Sequence, residues 1–418
     1  MKRRVVITGI GAVCPLGHNI DTIWKNVVES KSGIRQIDTF DVSGMSSKIA
    51  GMIPRGENAY NPDDYMTFSE QRKVDQFVVY AMAAAKQAVE DSGFSSLTDE
   101  QKEKTAVIVG SGIGGVSRLY DASVTLHDEG ARRVNPFFIP SVLVNIASGH
   151  IAIKYGFLGP NYSVVSACAS GTHSIGGAFR SIQNGYIDYA IAGGTEYAVC
   201  PLGVSGFSAV RALSTNFNDT PELASRPWDK DRDGFVIGEG SGILTLETFE
   251  SAMKRGAKIY GEIIGYGASC DAFHITSTPP DGKGASLSMS SALNDAKIDG
   301  NLIDYINAHG TSTPVGDISE IVAVKKVFGD HAYRLNVSST KSAMGHLLGA
   351  AGSVESIICL LAMKYNIVPP TLNLENPEDV CEGMNLTPKI PQERNIDYVM
   401  NNSFGFGGTN GSLIFKKI

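Results

Sequence analysis

Phe235-Val-Ile-Gly238-Glu-Gly-Ser-Gly242-Ile-Leu244-Thr-Leu246 can be laid over Phe404-Gly-Phe-Gly407-Gly-Thr-Asn-Gly411-Ser-Leu413-Ile-Phe415. The Phe, both Gly and the Leu coincide, and Ile237/Phe406 and Leu246/Phe415 match in kind. Each copy reads as a glycine-rich turn feeding an edge or hairpin strand. A repeat so placed divides the chain into two related α/β halves, 1–250 and 251–418, with the boundary near 250–258. Short β-branched runs (Val5–Thr8, Ala106–Val109, Ser163–Ser166, Tyr189–Ala192, Ile243–Leu246, Ile303–Asn307) alternate with helical patterns. The clearest helix spans Val74–Val89, where Val74, Phe77, Val78, Ala81, Met82 and Ala85 recur at helical spacing. Thr67 and Glu70 offer a capping box ahead of it. This alternation predicts a parallel or mixed sheet covered by helices on both faces. The charged, Pro-containing stretch Ser214–Gly234 reads as a surface loop inserted in the first half.

Composition narrows the function classes. The chain has 418 residues, 43% hydrophobic and 19% charged, a globular composition with material for two to three domain-sized units. A net charge of −7 gives the whole protein no electrostatic reason to seek nucleic acid or an anionic membrane. Cys14, Cys168, Cys200, Cys270, Cys359 and Cys381 form no CxxC pair, which argues against a zinc site or disulfide framework and makes the cytoplasm the default compartment. Met1-Lys-Arg-Arg4 followed by Val5–Leu16 imitates a signal peptide, but Thr8, Gly9, Gly11 and Pro15 interrupt it, so a first buried strand is the reading. No apolar run of about 18 or more residues suggests a membrane span.

Three strand ends carry reactive residues. Val164-Val-Ser-Ala-Cys168-Ala-Ser-Gly171-Thr places Cys168 between a strand and a helix, with small neighbours that admit substrate. A helix N-terminus there lowers the thiol pKa and offers N–H groups as an oxyanion hole. The alternative is a buried structural cysteine. His309, in Asn307-Ala-His309-Gly-Thr311-Ser-Thr313, and His346, in Ser339-Thr-Lys341-Ser-Ala-Met-Gly-His346, occupy similar settings. A lone His is more often a satisfied core residue than a catalyst. Three such sites among Gly, Ser and Thr fit the rule that α/β sheets hold their sites at the carboxyl ends of strands. Lys341 and Glu355 bring opposite charges into apolar surroundings and read as a pair.

Taken together, Ala167-Cys168-Ala-Ser-Gly171, Asn307-Ala-His309-Gly-Thr-Ser-Thr-Pro, Ser339-Thr-Lys341-Ser-Ala-Met-Gly-His346 and Asn402-Ser-Phe-Gly-Phe406-Gly-Gly-Thr-Asn410 resemble the β-ketoacyl-[acyl-carrier-protein] synthases, most of all the bacterial synthase II type. The resemblance runs from the first strand to the last residue. It implies the thiolase-like fold, a duplicated α-β-α-β-α layered sandwich with mixed sheets, and a homodimer. It also implies a ping-pong condensation. Cys168 takes an acyl group from acyl carrier protein, malonyl-carrier protein loses CO2, and the enolate attacks the acyl-cysteine. By the same resemblance His309 and His346 stabilise the enolate, and the N–H groups of Cys168 and Phe406 form the oxyanion hole. Asp317, Lys341 and Glu355 match positions that organise the site. Thr311 and Thr313 match contacts to the phosphopantetheine arm, and Phe404 belongs to the same substrate-binding set. Phe406 matches a gate over the acyl pocket. Arg72, Lys73, Arg132, Arg133 and Arg211 match a basic carrier-docking patch. No metal, nucleotide or other cofactor is implied.

Rival classes fit less well. Thiolases carry a cysteine where this chain has His346, and initiating synthases carry His and Asn. A non-enzymatic chain-length subunit would lack Cys168. Gly110-Ser-Gly112-Ile-Gly-Gly115 misses the dinucleotide fingerprint and reads as a tight turn beside the site. A synthase I-type enzyme or a polyketide-type ketosynthase shares the motifs and remains the alternative.

Overall fold

The computed structural model describes residues 2–56 and 59–418. Ten strands form the main sheet: β1 (Val5–Val13), β2 (Thr105–Gly110), β3 (Asn161–Tyr162), β4 (Tyr189–Glu196), β5 (Gly240–Thr248), β6 (Gly261–Cys270), β7 (Tyr305–Asn307), β8 (Asn336–Ser338), β9 (Tyr398–Gly405) and β10 (Thr409–Lys416). Their order is β8-β7-β9-β10-β6-β1-β5-β4-β2-β3. Outward from the β1–β6 junction, β1-β5-β4-β2-β3 is matched by β6-β10-β9-β7-β8. The senses match too. The first two pairings in each half are antiparallel and the last two parallel. At the junction itself Val5 lies opposite Ile263.

The sequence repeat falls on equivalent strands. Leu244 of β5 lies opposite Ile10, and Leu413 of β10 lies opposite Tyr266. Of the two readings, edge or hairpin strand, the second copy is a hairpin strand, its glycine-rich turn joining β9 to β10; neither copy is an edge, because β4 and β9 pair on their far sides. The flanking strands share a second repeat, Gly9-Ile-Gly11 in β1 and Gly265-Tyr-Gly267 in β6. A side chain at Gly11 would collide with the Ala84 carbonyl, and one at Gly267 with that of Ser288. Those carbonyls belong to α1 (Gln76–Ser92) and a helix at Lys283–Ala296, which therefore pack directly on the outer faces. Between the two half-sheets lie the helices at Ser170–Gln183 and Ala351–Tyr365. The result is the layered mixed sandwich expected of the fold.

Further helices are numbered in chain order: α2 (Val116–Glu129), α3 (Ser170–Gln183), α4 (Lys283–Ala296), α5 (Gly316–Phe328) and α6 (Ala351–Tyr365). Every side chain of α6 from Ala351 to Met363 is buried. The segment Leu348–Tyr365 has the length and mean hydropathy, 1.3, of a membrane span, although Glu355 and Lys364 interrupt it as an apolar run. It is 89% buried inside the protein, as a central core helix must be.

Several local expectations are revised. The Thr67–Glu70 capping box is formed, but it caps a one-turn helix at Phe68–Gln71. The long helix has its own cap in Asp75, whose carboxylate accepts from the Phe77 N–H. Ser163–Ser166 is not a strand. The Ser166 N–H turns to the Ser170 hydroxyl instead of a neighbouring strand. Ser214–Gly234 is a surface loop only in part: residues 215–223 are largely exposed, whereas residues 224–229 are buried. Trp228 and Asp229 are fully buried, and Arg232 is 6% exposed. The Arg232 guanidinium lies between Asp317 (3.3 Å) and Glu378 (2.7 Å), while the Trp228 N–H donates to Asp317 at 2.9 Å. Arg232 is thus paired with the second half, Arg226 pairs within the segment with Asp229, and Asp219 and Glu222 stay exposed. Trp228→Ala is expected to cost about 3–5 kcal/mol, read as a lower urea midpoint at unchanged slope. A wild-type midpoint would return this segment to the surface.

Candidate active site

Cys168 sits in a single 3₁₀ turn, Ala167–Ala169, immediately before α3. Ala167 has φ 47, a left-handed conformation that a residue with a Cβ adopts only under constraint. The backbone N–H groups of Cys168 and Phe406 lie close enough to the Cys168 sulfur to favour its charged form. The approach of the Phe406 turn depends on Gly405, where a Cβ would lie 3.0 Å from the Cys168 nitrogen. Beyond it Gly407 has φ 85, so glycine is needed to close the turn.

The other half repeats the arrangement. A 3₁₀ turn at Leu348–Ala350 precedes α6, and Leu348 has φ 49. His346 stands just before that turn, 3% exposed. Its backbone bonds to Val236 and Gly238, in the first copy of the sequence repeat. Its Nδ1 accepts from the Leu348 N–H at 3.3 Å, which leaves Nε2 as the N–H of the neutral ring. His309 meets His346 edge to face, with ring centroids 5.2 Å apart. Phe404 and Phe235 flank the pair, 5.8 Å from His309 and 5.3 Å from His346. The N–H groups of His309 and Gly310 donate to Glu320 on α5, at 2.9 and 2.8 Å.

A cavity of about 360 Å³ brings together Cys168, His309, His346, Phe404, Phe406, Thr311 and Thr313. The two threonine hydroxyls lie 3.0 Å apart. Asp317 is behind them, fully buried, accepting from the Ser312 and Thr313 N–H groups at 3.1 and 3.3 Å. Lys341 and Glu355 form a buried pair at 2.5 Å. Arg211 lines the mouth of the cavity. The other four basic residues stand on the exposed surface outside it. Lys73 lies 5.1 Å over the Phe137 ring, which joins the Arg72–Lys73 segment to the one carrying Arg132 and Arg133.

Electrostatically the resting site is neutral apart from the Lys341–Glu355 pair and the buried acids around it. Burial pushes the Cys168 thiol up to about 12. Lys341 and the two N–H groups oppose that rise, and Glu196 adds to it. The lowered thiol pKa expected from a helix N-terminus is therefore not found; Cys168 lies before the helix proper, and desolvation outweighs the dipole. Burial, reinforced by Lys341, holds both histidines well below the usual imidazole range, and His346 adds to the effect on His309. Burial also raises Asp317 to about 6 and Glu320 to about 7.

Glu196 and Glu320 were not singled out in the sequence. Glu196 ends β4 and accepts from Ser111 Oγ and Gly112 N, both at 2.7 Å, from Gly349 N at 3.0 Å and from Ile113 N at 3.2 Å. The glycine-rich turn after β2 thus wraps a carboxylate. Glu320 lies three residues beyond Asp317, on the same face of α5, a spacing that could have revealed it. Because the resting thiol is protonated, Cys168 alkylation by iodoacetamide should climb about tenfold per pH unit from about pH 7 to 10. A plateau near pH 7 would show a resting thiolate.

Two family models cover most of the chain: the β-ketoacyl synthase N-terminal domain matches residues 2–252, and the β-ketoacyl synthase C-terminal domain matches residues 260–375. A 3-oxoacyl-[acyl-carrier-protein] synthase 2 of Rhizobium meliloti is 52% identical over 418 residues, spanning 99% of each chain. Among solved structures, a β-ketoacyl synthase from Burkholderia phymatum superposes with TM-score 0.91 at 35% identity, covering all of both chains. A type II polyketide ketosynthase, solved with its acyl-carrier protein, superposes with TM-score 0.90 at 30% identity over the full length of both. With its duplicated sheet and its Cys-His-His cavity, the chain belongs to the β-ketoacyl synthase family.

Proposed function

We propose that this protein is a 3-oxoacyl-[acyl-carrier-protein] synthase that lengthens acyl chains in fatty-acid synthesis. The observation that carries the reading is a pair of neutral histidines facing one cavity with Cys168, with the His346 proton assigned to Nε2. In the first half-reaction Cys168 Sγ attacks the acyl thioester, and the carrier thiol leaves with the proton. Malonyl-carrier protein then enters. Its carboxylate C–C bond breaks to release CO2, and the electron pair moves onto the thioester oxygen, where the N–H groups of His309 and His346 hold it. The enolate carbon attacks the acyl-cysteine carbonyl. The resulting oxyanion is met by the N–H groups of Cys168 and Phe406, and collapse expels the cysteine thiolate. The products are 3-oxoacyl-carrier protein, CO2 and free carrier. No metal or nucleotide enters this scheme.

Lys341 and burial keep the histidines neutral, which suits a donor to a developing oxyanion. Asp317 and Glu355 act through Thr311–Thr313 and Lys341 respectively. Thr311, Thr313 and Phe404 line the path of the phosphopantetheine arm. A gating role for Phe406, 38% exposed on a glycine turn, is supported by that freedom. Greater identity to the 3-oxoacyl synthase relatives than to polyketide ketosynthases favours fatty-acid elongation. A second copy of the chain would cover α2, which buries none of its own side chains and leaves Leu119, Val124 and Leu126 exposed. Six unpaired cysteines suit the cytoplasm.

The half-reactions can be separated. Cys168→Ala is expected to abolish acyl transfer yet still release CO2 from malonyl-carrier protein. His309→Ala or His346→Ala should retain self-acylation while CO2 release falls about 10²–10³-fold. A folded Cys168→Ala that releases no CO2 would overturn the division of roles.

Carrier docking has its own test. Carrier proteins are acidic, so reversing Arg132 and Arg133 to Glu should raise KM for carrier-bound substrate. The effect should be strongest at low salt, since screening acts over about 8 Å at physiological ionic strength. A KM that ignores both the charges and the salt would remove these residues from the interface.

A further inference from the structure

His173, on α3, lines no part of the cavity, yet its ring touches both elements that supply N–H groups to the Cys168 sulfur. Nδ1 lies 2.8 Å from the hydroxyl of Ser166, two residues before the nucleophile. Nε2 lies 3.2 Å from the carbonyl oxygen of Asn410, just beyond the Phe406 turn. A carbonyl can only accept, so Nε2 carries the proton and Nδ1 accepts from the Ser166 hydroxyl. Both nitrogens are thereby committed and one tautomer is fixed. Tyr266 closes over the ring, its centroid 6.2 Å away and tilted by 71°.

The backbone on the far side is shaped to this contact. At Gly411 a Cβ would lie 2.9 Å from His173 Cδ2 and 3.0 Å from Nε2. Next to it Thr172 Oγ1 bonds Ser403 Oγ at 2.7 Å, so two neighbouring residues of α3 grip the β9–β10 hairpin on either side of Phe406. Burial lowers the His173 pKa, against the Asn410 carbonyl, which raises it; the ring stays neutral and the donor pattern holds.

We propose that His173 is a positioning residue of the condensation reaction, holding the Phe406 turn against the Cys168 turn so that their two N–H groups converge on one oxyanion. Its bond to Asn410 carries this role, while its bond to Ser166 anchors the ring. His173 touches no substrate. The proposal rests on the reading above, in which those N–H groups meet the oxyanion on the acyl carbonyl; attack of Cys168 on the acyl thioester forms the same kind of oxyanion, whereas malonyl decarboxylation uses the two histidines of the cavity.

Two substitutions separate the ring's contacts. His173→Gln places an amide near the position of Nε2 and can still donate to Asn410. His173→Asn reaches only to the Nδ1 position and loses that bond. Two rates are measured in each: single-turnover acylation of Cys168 by acyl-carrier protein, and CO2 release from malonyl-carrier protein without an acyl donor. H173N should acylate about 10–100-fold more slowly, since misplacing a reacting geometry by about 1 Å can cost 10²-fold. H173Q should regain most of the rate, and CO2 release should be little changed in both. Wild-type acylation in H173N overturns the proposal, as does an equal fall of both rates in both variants. A folded H173Q that fails to acylate overturns it alone, so the test stands even if H173N does not fold. A wild-type protein that releases no CO2 from malonyl-carrier protein counts against the reaction scheme instead, and identifies that separate failure.

Discussion

Everything in the site depends on how closely the first turns of α3 and α6 meet between the two half-sheets. At Gly171 a Cβ would stand 2.9 Å from the Gly349 carbonyl, and at Gly352 one would strike the Thr172 and Ser403 hydroxyls. Without side chains at these points the helix starts can touch, and each carries a reactive turn with it. The strained residues Ala167 and Leu348 sit at equivalent places, three residues before α3 and α6. A left-handed non-glycine residue costs of order 1–3 kcal/mol, so two of them persist only because the packing over-determines their conformation. The two halves each supply such a turn, one carrying Cys168 and the other following His346, which the proposed function makes a nucleophile and an N–H donor.

The contact is reciprocal. The first copy of the sequence repeat bonds to His346 in the second half, and the second copy reaches Cys168 in the first. Neither half contains a complete site. The exchange is held by buried carboxylates that take backbone N–H groups. Glu196 ties β4 and the turn after β2 to the start of α6, and Glu320 ties α5 to His309 and Gly310. A buried charge left without partners costs several kcal/mol, and removing one member of a buried pair about 3–5 kcal/mol. These acids are therefore satisfied almost entirely by N–H donors, and their loss would unfasten several loops at once.

This explains what could be read in the sequence. Cys168, His309 and His346 were legible because each stands at a strand end among small residues, and the Lys341–Glu355 pair because opposite charges in apolar surroundings need each other. The duplication was legible from the shared Phe, Gly and Leu positions, since close packing on a strand admits few alternatives to glycine. The buried part of Ser214–Gly234 was misread because Arg232 finds its partners more than eighty positions away, in Asp317 and Glu378, and local composition carries no trace of them. His173 and Glu196 escaped for the same reason. The thiol was misjudged on a matter of degree: a helix start favours thiolate, but desolvation in the half-buried site opposes it more strongly.

That last difference has chemical sense. On the proposed reading an acyl chain lies beside Cys168, and an apolar chain gains most where the groups it touches carry no charge to desolvate. The site keeps the sulfur and both imidazoles uncharged and pairs Lys341 behind them with Glu355, while Arg211, Asp233 and Asp271 line other parts of the cavity. In the proposed scheme the negative charge brought by the malonyl carboxylate moves onto the malonyl thioester oxygen, then onto the acyl oxygen, and ends on the expelled sulfur. Each oxygen finds N–H groups already oriented in a medium where such donors are worth more than in water. Thiolate formation is postponed to the moment of attack, when the leaving carrier thiol can take the proton. An exchange between thioesters is nearly balanced in energy, so a site that stabilises transient oxyanions has little need of a resting thiolate.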